Sequence, residues 1–526
     1  MKKLNEYEIN LYGKIHNLEE LKIDRENIEE ELLKRFLENG ENLFKKLNGE
    51  YTISIKNLNR GEEIIVRDKI GVMPLYFTIK DNKLYHANRI DELIKISKII
   101  PVLDKSGIKM LFGIGPAKES GKTLIKDIYE VMPGHYYLFK DGKILTFKYF
   151  DFLDKFSLDD KEKSKIKIKN ILEDSIKIRS KEECSVMLSG GLDSSLVTTL
   201  LNKKNLKSFS VNYENNDKDF KANKYQGTKD SDYIKIMIDK LNLKHTNIVI
   251  SKDLLVNNLE KALLAREFPG MGDIDSSLLV FLEKIKEKGI NNIFTGECAD
   301  EIFLGYPWLY KDINSDLVPF INNINLREKL IKPGLLEENE LKNYVEKVYG
   351  DIVKDLDITD VFKKYNYLTI KLFMPVLAER IKKLSEYVGI NVEIPFADYR
   401  IFEYIFNLPF EYKITENYNE KSLLKEIYKD KLPYEIIKRK KSPYPKTYDI
   451  EYAKKIEEIV LKIISDKDSR IHEIIDTKYL KEIILNSDKE SVDKNFFGQL
   501  MTYPQVLAYI IQIEIWLNKY KIKVQL

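Results

Sequence analysis

The sequence predicts an α/β protein: a doubly wound parallel sheet with a helical C-terminal region, preceded by an α+β layer rich in antiparallel strands. Three observations predict it. The apolar run Ser185-Val186-Met187-Leu188 breaks at Gly190-Gly191 and resumes as the helical stretch Leu196–Leu201, which reads as strand, tight turn and helix N-terminus. From Cys184 onward, strand-length apolar runs alternate with helix-length amphipathic ones, the pattern of βαβ units. Residues 1 to about 150 instead place short strand-like runs between turns.

In the first 150 residues the expected strands are Tyr51–Lys56, Glu63–Arg67, Leu75–Ile79, Lys83–Ala87 and His135–Phe139, with helices at Ile28–Glu38 and Asp91–Ser97. Gly115 to Gly121-Lys122-Thr123 superficially suggests a phosphate-binding Walker loop. It follows a helical segment, Ser106–Phe112, and spaces its glycines by five residues where four are needed, so it is expected to be a surface loop. The charged stretch Asp154–Lys169 reads as a linker merging into a solvated helix, which divides the chain into domains 1–153 and 154–526. Beyond it, the parallel strands are expected at Ser185–Leu188, Ser208–Val211, Thr246–Ile250 and Asn291–Thr295. Helices Tyr233–Leu241 and Ser276–Lys288 lie among them, and the chain is mostly helical after about residue 310.

Composition narrows the functional classes. With 526 residues, 43% hydrophobic and 33% charged, the chain has core enough for two or three globular domains. Its 87 basic and 84 acidic residues nearly cancel, so no field points to nucleic acid. Two cysteines, Cys184 and Cys298, imply a reducing compartment without a disulfide framework. The five histidines (16, 86, 135, 245 and 472) and the cysteines show no metal-ligand spacing. Val506–Leu517 is apolar but too short to span a bilayer, and no signal segment opens the chain, so a cytoplasmic protein without a membrane partner is expected. Oligomeric state is left open, a homodimer included.

The glycine turn carries the chemistry. Glycine lets the backbone approach an anion closely, and the exposed N–H groups at a helix start favour phosphate. Asp193 among phosphate binders makes sense when Mg²⁺ bridges it to the phosphates. Ser189-Gly190-Gly191-Leu192-Asp193-Ser194-Ser195 resembles the PP-loop of ATP pyrophosphatases, which cleave ATP between the α and β phosphates. A second acidic turn, Thr295-Gly296-Glu297-Cys298-Ala299-Asp300-Glu301, follows an apolar strand and resembles the S-G-E-G-S-D-E turn of asparagine synthetases. Val392-Glu393-Ile394-Pro395-Phe396-Ala397-Asp398, then Lys421-Ser422-Leu423-Leu424, then Arg439-Lys440-Lys441 follow the order of that family's V-P-F-x-D, K-x-x-L and R-x-K segments. Upstream, Leu47-Asn48-Gly49 and Arg67-Asp68 through Pro74-Leu75-Tyr76 look like the family's Ntn-type glutaminase half.

The resemblance implies MgATP as the nucleotide, bound by Ser189 to Ser195, with Leu188 and Val211 flanking the adenine and Thr295 and Gly296 beside it. It implies Asp193 and Asp300 as magnesium carboxylates, Glu297 as the catalytic glutamate, and Lys441 as the lysine that meets charge on the α-phosphate. Cys298, replacing a small residue, is expected to be inert packing. A carboxylate, aspartate in the leading reading, would be adenylated with loss of pyrophosphate and then attacked by ammonia or an amine.

The departures are specific. Position two holds Lys2 where the glutaminase has its nucleophilic cysteine, and its Arg-Gly-Pro-Asp stretch has no counterpart. Tyr12 and Lys14 stand where the oxyanion Asn and the amine-binding Glu belong, so no glutaminase activity is expected. Nitrogen would then come from free ammonia, a separate glutaminase subunit or an amine on the substrate itself. Lys382 replaces an acid near the family's amino-acid pocket and is expected to alter it. Two alternatives stand beside the leading reading: an amide or lactam synthetase for a specialised substrate, as in β-lactam synthetases and lasso-peptide cyclases, and a non-catalytic subunit that keeps the fold.

Overall fold

The computed structural model describes residues 2–525 apart from 154–158, 202, 217–219, 221–226, 311–322, 355–359, 415–419, 446, 448, 487–495 and 498–500. Part of the expected linker, Lys446, and residues 498–500 of a C-terminal segment therefore lie outside the described residues.

The first 148 residues build a six-stranded antiparallel sheet in the order Lys2–Leu4, Tyr7–Ile15, Gly49–Asn57, Glu63–Arg67, His135–Lys140, Lys143–Lys148. Lys83–Ala87, Tyr76–Lys80 and Tyr129–Glu130 form a three-stranded companion. Every expected strand and both helices are present, the helices as Ile28–Asn39 and Ile90–Ser97. Two long strands go beyond the expectation. Tyr7–Ile15 alternates apolar residues only briefly, and Lys143–Lys148 is an exposed edge with little apolar signal.

The second half carries a five-stranded sheet in which all strands run parallel: Lys244–Ile250, Lys207–Tyr213, Ser185–Met187, Asn292–Phe294, Asn391–Glu393. Ser185–Met187 comes first in sequence and lies in the centre. The chain adds two strands on one side of it and then returns to add two on the other. Its C-terminal end is thus a topological switch point, where the flanking loops part and leave a crevice. The fifth strand, Asn391–Glu393, lies in the Val392–Asp398 motif but is too short for periodicity to reveal. Helices Leu192–Leu201, Asp230–Leu241 and Asp273–Lys286 cover the sheet, the last buried along most of its length. The apolar run near the C-terminus is the buried helix Tyr503–Lys519, packed against Ile450–Ser465. Among the described residues no helix is long and apolar enough to cross a membrane.

The antiparallel and parallel parts meet through buried charges. Arg67, 2% exposed, donates to the carbonyls of Met73, Gly71 and Val131 at 2.7, 2.7 and 3.0 Å and pairs with Glu130 at 3.0 Å and Glu379 at 3.5 Å. Lys118 joins them, 2.9 Å from Glu130 and 2.6 Å from Glu379. The Gly115–Thr123 stretch, expected to be a surface loop, instead anchors this network through Lys118. Lys383 adds bonds to Tyr76 Oη at 2.7 Å and to Glu267 at 2.9 Å.

A second group gathers His16, Glu50, Arg179, Lys382, Glu393 and Asp398. Lys382 donates to Glu50 Oε2 at 3.1 Å, so it faces the antiparallel half and does not alter the cleft described below. His16, Glu50 and Glu393 bring ligand atoms within 4.8 Å of one another, a proximity invisible in their sequence separation. Lys382 and Arg179 on Glu50, with Lys14 3.2 Å from Glu393, already supply the balancing positive charge. The group is an ion network between the halves.

Candidate active site

The PP-loop turns directly off the central strand. Gly190 has φ +69, and a Cβ there would stand 2.8 Å from the Ile234 nitrogen, so both its conformation and its packing require glycine. Ser189, Gly191 and Ser194 then knit the turn: Ser194 Oγ accepts from the Ser189 N–H at 3.1 Å, and Ser189 Oγ accepts from the Gly191 N–H at 3.3 Å. The acidic turn approaches from the neighbouring strand Asn292–Phe294. A Cβ on Gly296 would come within 2.8 Å of the Ser194 nitrogen, so the two turns pack backbone to backbone.

A cleft opens at this edge, lined by Leu188, Ser189, Asp193, Ser194, Val211, Thr295, Gly296, Glu297, Asp300 and Lys441. These sequence-predicted residues come from four separated segments. Leu192 and Ser195 do not line it; both side chains are buried in the protein. Gly190 and Gly191 shape the turn without lining the cleft. The strip Lys441–Pro445 closes one wall, with Tyr444 Oη 3.1 Å from Ser277 Oγ. In Lys438–Lys441, Lys438 and Lys440 are exposed while Arg439 and Lys441 turn inward. Arg439 is 6% exposed, pairs with Asp230, donates to the Ser189 carbonyl at 3.2 Å and stacks 4.2 Å over the Tyr233 ring.

Two carboxylates and two lysines form the polar floor. Lys421 Nζ bridges Asp193 and Asp300, lying 2.6 Å from Asp300 Oδ1, and Lys441 Nζ is 2.6 Å from Asp300 Oδ2. Burial would raise both acids. Lys421 and Lys441 together override it at Asp300 and hold that carboxyl at about 2. Asp193 is in direct contact with one lysine only, and burial with the Asp300 charge nearby pushes its carboxyl above the usual range. Asp193 Oδ1 is buried without a hydrogen-bond partner. Such an orphaned oxygen beside a second carboxylate fits a divalent cation, and the surrounding lysines fit phosphates.

Glu297 reaches the same cleft and accepts from Arg380 Nη2 at 3.3 Å. Cys298 is 2% exposed at φ 73, and burial pushes its thiol well above its ordinary range, so it stays protonated and unreactive. Sequence reasoning singled out neither Arg380, Asp230 nor Tyr444 for the site, and took Lys421 only as part of a motif order. The charge-bearing K-x-x-L lysine was the available signal for Lys421, and Arg380 lay beside Lys382 in the stretch read as near the family's amino-acid pocket; Asp230 carried no signal of its own.

The family model described as asparagine synthase matches residues 167–518, and that of a glutamine amidotransferase domain matches residues 1–150. The chain is 32% identical to "Asparagine synthetase [glutamine-hydrolyzing] 3" of Bacillus subtilis, over 98% of this chain and 88% of that one. It is 24% identical to "Asparagine synthetase [glutamine-hydrolyzing] 1" of the same organism, over 84% of this chain and 76% of that one. It is also 24% identical to "Amidase chyE" of Penicillium rubens, over 77% and 70%. With a PP-loop at the switch point of a parallel sheet and an amidotransferase-like layer before it, the chain belongs to the asparagine synthetase family, whose members are ATP-dependent, amide-forming ligases.

Proposed function

We propose that this chain adenylates a carboxylate with MgATP, aspartate in the leading reading, and transfers ammonia to the activated acyl group without hydrolysing glutamine itself. One observation carries it: Asp193, Glu297, Asp300 and Lys441, from three turns far apart in sequence, border one cleft at the C-terminal edge of the sheet. Asp193 and Asp300 would hold Mg²⁺, which neutralises the triphosphate and helps pyrophosphate leave. Lys441 would balance charge that grows on the α-phosphate as the carboxylate attacks it. Glu297, ion-paired with Arg380, would take the proton lost by the attacking ammonia.

The glutaminase positions support the last clause. Tyr12 Oη is 3.2 Å from Glu386 and Lys14 Nζ 3.2 Å from Glu393, so both side chains are engaged by the ligase half. No cysteine occurs in residues 1–150. The two-domain division, 1–153 and 154–526, is part of the same reading. Pyrophosphate release is measured with MgATP and L-aspartate, supplying nitrogen as ammonium or as glutamine. Release with ammonium alone is expected. Equal release with glutamine removes the glutaminase clause, and release with no carboxylate of a broad panel removes the ligase reading. A specialised amide remains the second reading, favoured by likeness to a protein named only as an amidase.

A further inference from the structure

A second cavity lies on the seam between the antiparallel half and the helices, and it shares no lining residue with the nucleotide cleft. Loop residues at Lys69, Pro133 and Asp151 form one side, and the helices Glu340–Val353 and Met374–Val388 contribute to the other. Apolar side chains make up much of its wall, Phe152, Ile352, Tyr367 and Ile370 among them, and Lys371 is set into it. In a regular helix the ring of Pro375 would clash with the Lys371 carbonyl, four residues earlier. The chain takes one π-helical turn there, Thr369–Phe373, a distortion often found at functional sites.

The charge on Lys371 is only partly answered. Its Nζ is 3.3 Å from Asp151 Oδ1, and Asp151 also accepts from Lys148 at 3.0 Å, so two ammonium groups share one carboxylate. The rings of Phe152 and Tyr367 have their centroids 4.8 and 5.5 Å from the same Nζ. Burial, with Lys148 close by, holds the ammonium below the ordinary lysine range in spite of Asp151. The other charged groups of the wall are matched elsewhere. Glu119 takes Lys122 at 2.6 Å and Tyr344 Oη at 3.0 Å, and Asp351 pairs with Lys347. Lys69 donates to the Lys45 carbonyl at 2.8 Å and lies 3.3 Å from the centre of the Tyr399 ring. His135, which burial holds below its ordinary range, adds no charge at pH 7. One negative charge would balance Lys371, Lys148 and Asp151, and the rings beside it would cover an apolar body.

We infer that this cavity binds a small monocarboxylate with an aryl or branched apolar body, its carboxylate on Lys371 and Lys148 and its body against Phe152 and Tyr367. The ligand bridges the two halves of the chain and binds independently of the nucleotide. The inference does not depend on the ligase reading.

Equilibrium dialysis of the full chain tests it with 3-phenylpropanoate, indole-3-acetate and 4-methylpentanoate, each beside its neutral primary amide. At least one acid is expected to bind at about millimolar or tighter. Its amide binds at least about tenfold more weakly, the difference a charge-assisted contact makes, and saturating MgATP leaves both unchanged. Lys371→Met should weaken the acid at least about tenfold and the amide little, and Lys371→Arg should recover part of the loss. Ile352→Trp keeps every charge and fills the cavity, so it should abolish binding even if Lys371→Met fails to fold. Acid and amide bound equally, an acid displaced by MgATP, or full affinity in either Lys371→Met or Ile352→Trp overturns the inference. So does a chain that binds none of the three acids.

Discussion

Lys421→Met removes the cation that holds the two acids of the cleft together. Its ammonium is 4% exposed and contacts both Asp193 and Asp300, and its backbone sits in the left-handed region at φ 54, so the surrounding structure holds it in place. Asp300 at about 2, against an ordinary 3.8, corresponds to about 2 kcal/mol favouring its ionised form in the folded state. Lys441 keeps part of that, but Asp193 loses its one directly contacting lysine. Breaking a buried pair in this way costs about 3–5 kcal/mol, and we expect the lower end at pH 7. For a folding unit of this size, that corresponds to roughly 3–5 °C in Tm. The sign with pH follows from a depressed acid. The Asp300 contribution is complete above about pH 4 and is lost as pH falls through about 2. Calorimetry at pH 7 checks the magnitude. Manganese titration without nucleotide, followed by electron paramagnetic resonance, checks the mechanism, since the vacated charge should then be filled by a divalent ion. A melting temperature within 1 °C of wild type, with no gain in manganese binding, refutes the claim that Lys421 balances these carboxylates.

Lys441→Ala should lower turnover at least about tenfold through lost charge stabilisation while the protein still folds, as measured by pyrophosphate release beside circular dichroism. Glu301, 1% exposed and hydrogen-bonded to Tyr306 Oη at 2.6 Å, is raised to about 7 by burial and by Asp300. The folded state therefore keeps a proton that the unfolded chain gives up, and stability falls as pH rises from about 4.5 to 7. Glu301→Gln should flatten that fall, stabilising by about 2–3 kcal/mol at pH 8 in urea titrations. Glu379→Ala leaves buried Arg67 and Lys383 and half-buried Lys118 without their shared acid and should cost about 3–5 kcal/mol, read as a lower urea midpoint.

Local chemistry explains what was legible beforehand. The PP-loop stands out because glycines, hydroxyls and an acid at fixed spacing between a strand and a helix form a continuous pattern, and Asp193 borders the cleft. Glu297, Asp300 and Lys441 were reachable because each lies in a contiguous motif. Contacts that join distant segments were not. Lys382 read as a change to the pocket, yet one helix turn aims it at Glu50, while Arg380, two residues earlier, reaches Glu297. Only the helical rotation between positions 380 and 382 separates those fates. The ion networks of Arg67 and Glu50 were likewise hidden, because their members lie up to several hundred residues apart. Tyr7–Ile15 did carry a signal, the alternation of Tyr7, Ile9 and Leu11, but Gly13 and Lys14 cut it short.

The proposed reaction joins a carboxylate to the α-phosphate of ATP in this cleft. The direct measurement is transfer of ¹⁸O from a labelled carboxylate, followed by ³¹P NMR of the products. One ¹⁸O in the phosphoryl group of AMP, with unlabelled pyrophosphate, is the predicted result. Label in inorganic phosphate beside ADP, or AMP formed without label, would contradict it.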